Sequence, residues 1–222
     1  AEEEASQRYG VGPGAVRFIS GTWAPHIELE SRLAAFHERD AAMIFSSAYA
    51  AIVGVLVPLI TDQTVIISDA LNHNSIINAM RLARPADKQV YAHNDMEHLE
   101  TLLRRYADRS TKLVVVDAVF SMDGDIIDLP RTAELCQKYG AQLMMDEAHS
   151  VGVLGESGHG VEEHFGMQDC VDVKMGTLSK TIPSVGGYIA GSRGLINLMK
   201  HAARGFIFSA AIPPAQAAAA KA

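Results

Sequence analysis

The chain has 222 residues (23.9 kDa), 48% of them hydrophobic and 20% charged, so it can bury a sizeable core and is not compositionally disordered. A net charge of −7 without a basic block argues against a nucleic-acid partner, and the apolar residues 49–60, broken by Gly54 and Pro58, fall short of the ~20 needed for a membrane span. Only Cys136 and Cys170 occur, in no metal-ligand spacing, and Glu2, Glu3 and Glu4 stand where a secretory signal needs basic residues, which points to a reducing, cytoplasmic setting and no bound metal.

In chain order, a polar opening runs into Gly10, Gly12 and Gly14, after which short β-rich runs alternate with helical periodicity. Strands are predicted at residues 42–46, 64–68, 89–92, 112–117, 142–146, 171–175 and 185–190, several of them apolar on successive residues, as strands covered on both faces should be. A helical segment follows the first strand at residues 50–56. Asp95 reads as an N-cap, with Met96, Leu99, Leu102, Leu103 and Tyr106 repeating at helical spacing behind it. Asp128, Pro130 and Gly140 frame another helix with start and stop signals. After Pro213 and Pro214 an Ala-rich helical start closes the chain. The alternation predicts an α/β fold, a mostly parallel central sheet with helices on both faces.

Four stretches carry candidate chemistry. Gly176-Thr177-Leu178-Ser179-Lys180 directly follows the predicted strand at 171–175, whereas Lys174 should lie inside it. A lysine at a strand end lies where α/β sheets bind ligands, and a partly desolvated amine there can form a Schiff base; the alternative is a surface lysine in a turn. Asp146-Glu147-Ala148-His149 also ends an apolar strand. A carboxylate emerging from a buried strand is costly unless it meets a cation, such as a pyridinium nitrogen, or caps a following turn. His149 could equally bond a loop carbonyl. Phe45-Ser46-Ser47-Ala48-Tyr49 runs from a strand into a helix, whose first N–H groups suit a phosphate. His73 and Ser121 follow two further strands, and an imidazole there can stack on a flat heteroaromatic ring or cap the next turn.

The joint order of these pieces resembles the α-oxoamine synthases, pyridoxal-phosphate enzymes of the aspartate-aminotransferase fold type. The motifs that carry the resemblance are Arg17-Phe18-Ile19-Ser20-Gly21-Thr22 with His26 and Glu30, Ser46-Ser47-Ala48-Tyr49-Ala50-Ala51, and His93-Asn94-Asp95. They continue with Val119 to Asp125, Asp146 to Gly152, and Gly176 to Lys180 with Gly186-Gly187, so that they cover residues 9–214.

The resemblance implies that Lys180 is the lysine that forms the Schiff base with pyridoxal 5'-phosphate and that Asp146 keeps the pyridine nitrogen protonated. It further implies that His149 and Ser121 contact the ring substituents, that Thr177 and the backbone of Ala48 and Tyr49 hold the phosphate, and that His73 stacks on the ring. The implied activity is acyl transfer, the decarboxylative condensation of glycine, alanine or serine with a coenzyme A or carrier-protein thioester, in a homodimer. It also implies that residues 1–222 are the cofactor-binding large domain of a longer enzyme, with a smaller C-terminal domain outside this sequence. The chain departs from the family's pattern at Ala48, where Gly is usual, at Ile52, where Asn is frequent, at residues 181–184, and at Ala210, where many relatives have Thr or Ser.

Three other readings compete. Asp146 to His149 spells a box of ATP-dependent helicases, but no Gly-rich phosphate loop precedes it. A catalytically silent partner subunit would be expected to lose the lysine, and Lys180 is present. An aminotransferase of the same fold would use the same cofactor for a different reaction.

Overall fold

A computed structural model describes residues 1–222. Helices α1 (Glu2–Tyr9) and α2 (Ala24–Phe36) precede strand β1 (Ala41–Phe45) and helix α3 (Ala48–Leu59). Then come β2 (Thr64–Asp69), α4 (Asn74–Leu82), β3 (Asp87–Tyr91), α5 (Met96–Arg105), β4 (Thr111–Asp117), α6 (Leu129–Tyr139) and β5 (Gln142–Asp146). The chain ends with α7 (Val161–His164), β6 (Val173–Ser179), β7 (Pro183–Gly191), α8 (Arg193–Ala202), α9 (Arg204–Ile207) and α10 (Pro214–Lys221). It divides into two compact units, residues 56–174 and residues 1–55 with 175–222.

In the unit of residues 56–174, strands run parallel in the order β3-β2-β4-β5. Strands β2, β4 and β5 are apolar and buried residue after residue because neighbours cover both faces. Strand β3, at the edge, alternates half-buried and exposed positions and ends on the buried Tyr91. Helix α5 starts where the Asp95 carboxylate accepts from His98 N, and α6 where that of Asp128 accepts from Arg131 N. Gly140 ends α6 in the left-handed conformation (φ 62°), which a Cβ would disfavour. Leu99, Leu102 and Leu103 of α5 and Leu135 of α6 join Val65, Ile67, Val114, Val116, Leu143 and Met145 in one core. Burying each such side chain contributes about 1.5–3 kcal/mol.

In the unit of residues 1–55 and 175–222, β1 pairs antiparallel with β7, Ala41 opposite Gly191 and Phe45 opposite Gly187, and β7 also borders β6. Helix α2 buries Leu29, Leu33 and Ala34 against Ile44, Leu178, Tyr188, Ile212 and Ala217. The buried Arg17 guanidinium donates to both carboxylate oxygens of Glu30 at 2.8 and 3.1 Å, and Glu30 Oε1 also accepts from Ile44 N at 3.1 Å. This bidentate pair ties the segment before α2, α2 itself and β1 together.

The structure moves several predicted boundaries. Strand β6 runs to Ser179 rather than ending at Met175, so Gly176 to Ser179 are strand rather than turn. A Cβ on Gly176 would lie 2.3 Å from the Tyr188 hydroxyl oxygen, so this glycine serves close packing inside the sheet. Helix α3 begins at Ala48, earlier than residue 50, and extends to Leu59 with Pro58 inside it. Helices α1, α2, α4, α7, α8 and α9 have no counterpart among the predicted elements. Helix α2 packs against both α10 and β1, which blurs the single apolar stripe that would reveal it. No helix is long and apolar enough to cross a membrane.

Candidate active-site residues

In the unit of residues 56–174, three adjacent parallel strands end in buried aspartates, Asp69 on β2, Asp117 on β4 and Asp146 on β5, with Asp117 and Asp146 opposite each other in register. Each of these carboxylates accepts from the N–H group of a loop at the strand ends. Asp146 Oδ1 accepts from Ala148 N at 2.9 Å, so the carboxylate braces the turn that carries His149. Asp69 Oδ1 accepts from Leu71 N at 2.8 Å and Asp117 Oδ2 from His73 N at 3.1 Å.

Between the ends of β2 and β4 sits the buried Asn72, whose Nδ2 donates to Val115 O at 2.7 Å and Ser68 Oγ at 2.8 Å while its Oδ1 accepts from Asp117 N at 2.9 Å. His73 is therefore carried on a loop held at both ends. It is the N-cap of α4, with Nδ1 accepting from Ser75 N at 3.3 Å, and the residue is exposed. Ser121 is exposed at the tip of a tight loop closed by Gly124 N donating to Phe120 O (2.8 Å) and Phe120 N to Asp125 O (2.9 Å).

Beneath the turn after β5, Glu147 is fully buried. Its Oε2 accepts from Val161 N at 3.1 Å and from the Ser150 hydroxyl. Lys174 Nζ lies 2.6 Å from Glu162 Oε2 and 3.8 Å from Glu147 Oε1. Burial pushes the Glu147 carboxyl up, with Lys174 opposing. As expected, Lys174 is a buried strand residue, and its role here is to neutralise two interior carboxylates.

In the unit of residues 1–55 and 175–222, Ser47 caps α3, its hydroxyl accepting from Ala50 N at 3.0 Å. The N–H groups of Ala48 and Tyr49 lie ahead of the first helical bond, Ala51 N to Ser47 O. Gly187 of β7 lies hard against this turn: a Cβ there would sit 2.3 Å from Ala48 Cα. Thr177 is buried, its hydroxyl 2.8 Å from Ser179 Oγ and donating to Gly186 O at 3.3 Å. Lys180 is the first residue past β6 and is exposed, because the strand runs on to Ser179 and places it beyond the packed sheet. Each unit thus carries its own set, His73, Ser121, Asp146 and His149 in one and Ala48, Tyr49, Thr177 and Lys180 in the other. The sequence reading passed over Asn72, Asp69 and Asp117, although the rule that singled out Asp146, a carboxylate ending an apolar strand, applies to both aspartates.

Residues 3–222 match the aminotransferase class I and II family. The chain belongs to this class I and II family. 8-Amino-7-oxononanoate synthase 1 of Bacillus subtilis (strain 168) is 48% identical over 219 residues, 99% of this chain and 56% of that protein. The 8-amino-7-oxononanoate synthase of Anaeromyxobacter sp. (strain K) is 49% identical over 220 residues, 99% of this chain and 55% of the other. Among solved structures, serine palmitoyltransferase of S. paucimobilis with a bound PLP-myriocin aldimine matches with a TM-score of 0.95 at 33% identity, covering 99% of this chain and 55% of that one. The chain spans about half the length of the curated relatives it matches. Both kinds of relative are α-oxoamine synthases, as the motifs suggested. The fold is accordingly the α/β, mostly parallel arrangement of the aspartate-aminotransferase type expected from the alternation of elements.

Proposed function

We propose that this chain binds pyridoxal 5'-phosphate and serves a C-acyltransferase that condenses a small amino acid (glycine, alanine or serine) with an acyl thioester of coenzyme A or a carrier protein, releasing carbon dioxide and the free thiol and leaving an α-amino ketone. The observation that carries the reading is a lysine directly after β6, together with a buried aspartate closing β5, in a chain 48% identical to an 8-amino-7-oxononanoate synthase. The residues suit the cofactor. A buried carboxylate favours a cationic ring nitrogen, and the capped start of α3, approached by Gly187, offers N–H groups to a phosphate.

When bound, pyridoxal phosphate supplies the electron sink that makes a bond at the substrate's α-carbon labile. Lys180 would hold the cofactor through Nζ, and its amine would be the base nearest that carbon. Asp146 would keep the ring nitrogen protonated, Ser121 and His149 would bond the ring substituents, and His73 would offer its ring for stacking. Thr177 Oγ1 and the N–H groups of Ala48 and Tyr49 would hold the phosphate. A two-fold homodimer and a cytoplasmic location complete the reading. An aminotransferase of this fold would instead release a 2-oxo acid, and assaying that product against carbon dioxide separates the two.

The test is borohydride reduction of cofactor-loaded protein followed by peptide mapping. The cofactor label is expected on Lys180; a label on Lys174 or any other lysine would overturn the assignment.

A further inference from the structure

His93, just past edge strand β3, has both ring nitrogens paired with carboxylates: Nδ1 lies 3.0 Å from Asp69 Oδ1 and Nε2 3.1 Å from Asp125 Oδ2. Carboxylates only accept, and a neutral imidazole donates from one nitrogen alone. The geometry therefore requires the doubly donating imidazolium. The ring also meets the buried Phe120 edge-on, with centroids 4.3 Å apart. Next to it Asn94, in a left-handed conformation (φ 53°), donates from N to Asp69 Oδ2 at 2.9 Å and from Nδ2 to Ile126 O at 3.1 Å, and its Oδ1 accepts from Asp128 N at 3.3 Å. Every one of these bonds runs to the end of β2 or to the loop of residues 118–128.

We propose that His93 and Asn94 form a clamp that fixes the loop carrying Ser121, with protonated His93 as a strut between Asp69 and Asp125, so that the loop loosens when His93 loses its charge. The effect on cofactor binding rests on the contact proposed above for Ser121; the clamp itself does not. His93 and Asn94 are positioning residues, since neither is assigned a contact with the cofactor. The titratable groups that face the ring are Asp69, from β2, and Asp125, from the loop; Tyr91, at the end of β3, faces Asp69. Burial works against the charge on His93, but the two carboxylates outweigh it and hold the imidazole above its ordinary 6.5. The Asp125 side chain is half exposed, so its removal should leave the fold intact.

The experiment follows the full chain with ¹³C/¹⁵N-labelled histidine by NMR, and reads hydrogen-exchange protection of Phe120, Gly124 and Ile127 N–H in wild type, His93→Gln and Asp125→Ala. Both His93 nitrogens should be protonated at neutral pH, and His93 should titrate above free histidine in wild type and lower in Asp125→Ala. Loop protection should fall about threefold to tenfold in either variant at about pH 6, a difference that shrinks by about pH 9. Ordinary titration of His93 with unchanged protection in both variants would overturn the clamp. Pyridoxal phosphate affinity, read by the cofactor's absorbance, is measured in parallel for Ser121→Ala and for the double variant with His93→Gln. A matching loss that does not add in the double variant supports the full proposal. Loosened protection with unchanged affinity in Ser121→Ala supports the clamp and removes the Ser121 contact instead.

Discussion

At Asp146 burial and charge pull in opposite directions. The carboxylate is 6% exposed, and Ala148 N supplies a neutral hydrogen bond to one oxygen. An interior anion of this kind gains most from a cation, and in the proposed reading that cation is the protonated ring nitrogen. Asp146→Asn keeps the shape and removes the charge. We expect it to retain the cofactor, whose proposed phosphate contacts lie elsewhere in the chain, but to slow exchange of the substrate's α-proton by roughly 10- to 1000-fold, the range set by a 1–3 unit change in ring basicity. Deuterium exchange into glycine or alanine at equal cofactor occupancy measures it, and an unchanged rate would rule out the electron-sink support. An apolar run before the carboxylate marks Asp146, Asp69 and Asp117 alike in the sequence, but which groups Asp69 and Asp117 hold is decided only by loops that fold back onto them.

Strand β7 and helix α3 meet at Gly187, where backbone packs on backbone. Gly187→Ala would place a methyl 2.3 Å from Ala48 Cα, and no side-chain rotation can relieve that. The variant should lose about 1–3 kcal/mol of stability, the usual cost of overpacking, and weaken cofactor affinity further by displacing the start of α3. Urea unfolding and a cofactor titration read the two effects, and intact affinity at reduced stability would detach α3 from phosphate binding. At this scale the local signals did well wherever one residue decides a boundary. Asp95, Asp128 and Gly140 cap their helices as read, because each acts on N–H or C=O groups within a turn of itself. Gly176 misled, since its reason for being glycine is the ring of Tyr188 on another strand.

Across the molecule, two histidines give stability opposite dependences on pH. His26 is fully buried, with Nδ1 accepting from Trp23 N at 3.0 Å and Nε2 donating to Ile212 O at 2.8 Å, a set that only the neutral ring satisfies. Burial lowers its pKa against the opposing bond to Ile212 and with help from Arg17. The unfolded chain therefore takes up a proton first on acidification, and the stability His26 provides is present above its ordinary 6.5 and lost below it. For His93 the sign reverses, because its pKa is raised: its contribution is complete below 6.5 and lost as pH rises through the folded value. Unfolding free energy should thus fall off on both sides of neutrality, with His26→Gln flattening the acid limb and His93→Gln the alkaline limb. Urea unfolding across pH checks it, and identical acid limbs in wild type and His26→Gln would refute the first assignment. By itself the sequence determined the α/β class, the order of strands along the chain, the capped helices α5 and α6, and the motifs that mark the family, because periodicity, caps and short motifs act within a few residues. Only the tertiary structure decided that Arg17 pairs with Glu30, that Lys174 neutralises Glu147 and Glu162, and that His26 is held neutral between α2 and Ile212 while His93 is charged between Asp69 and Asp125. Those partners are brought together by strand pairing and core packing, and a side chain's charge state depends on which donors and acceptors the fold sets around it.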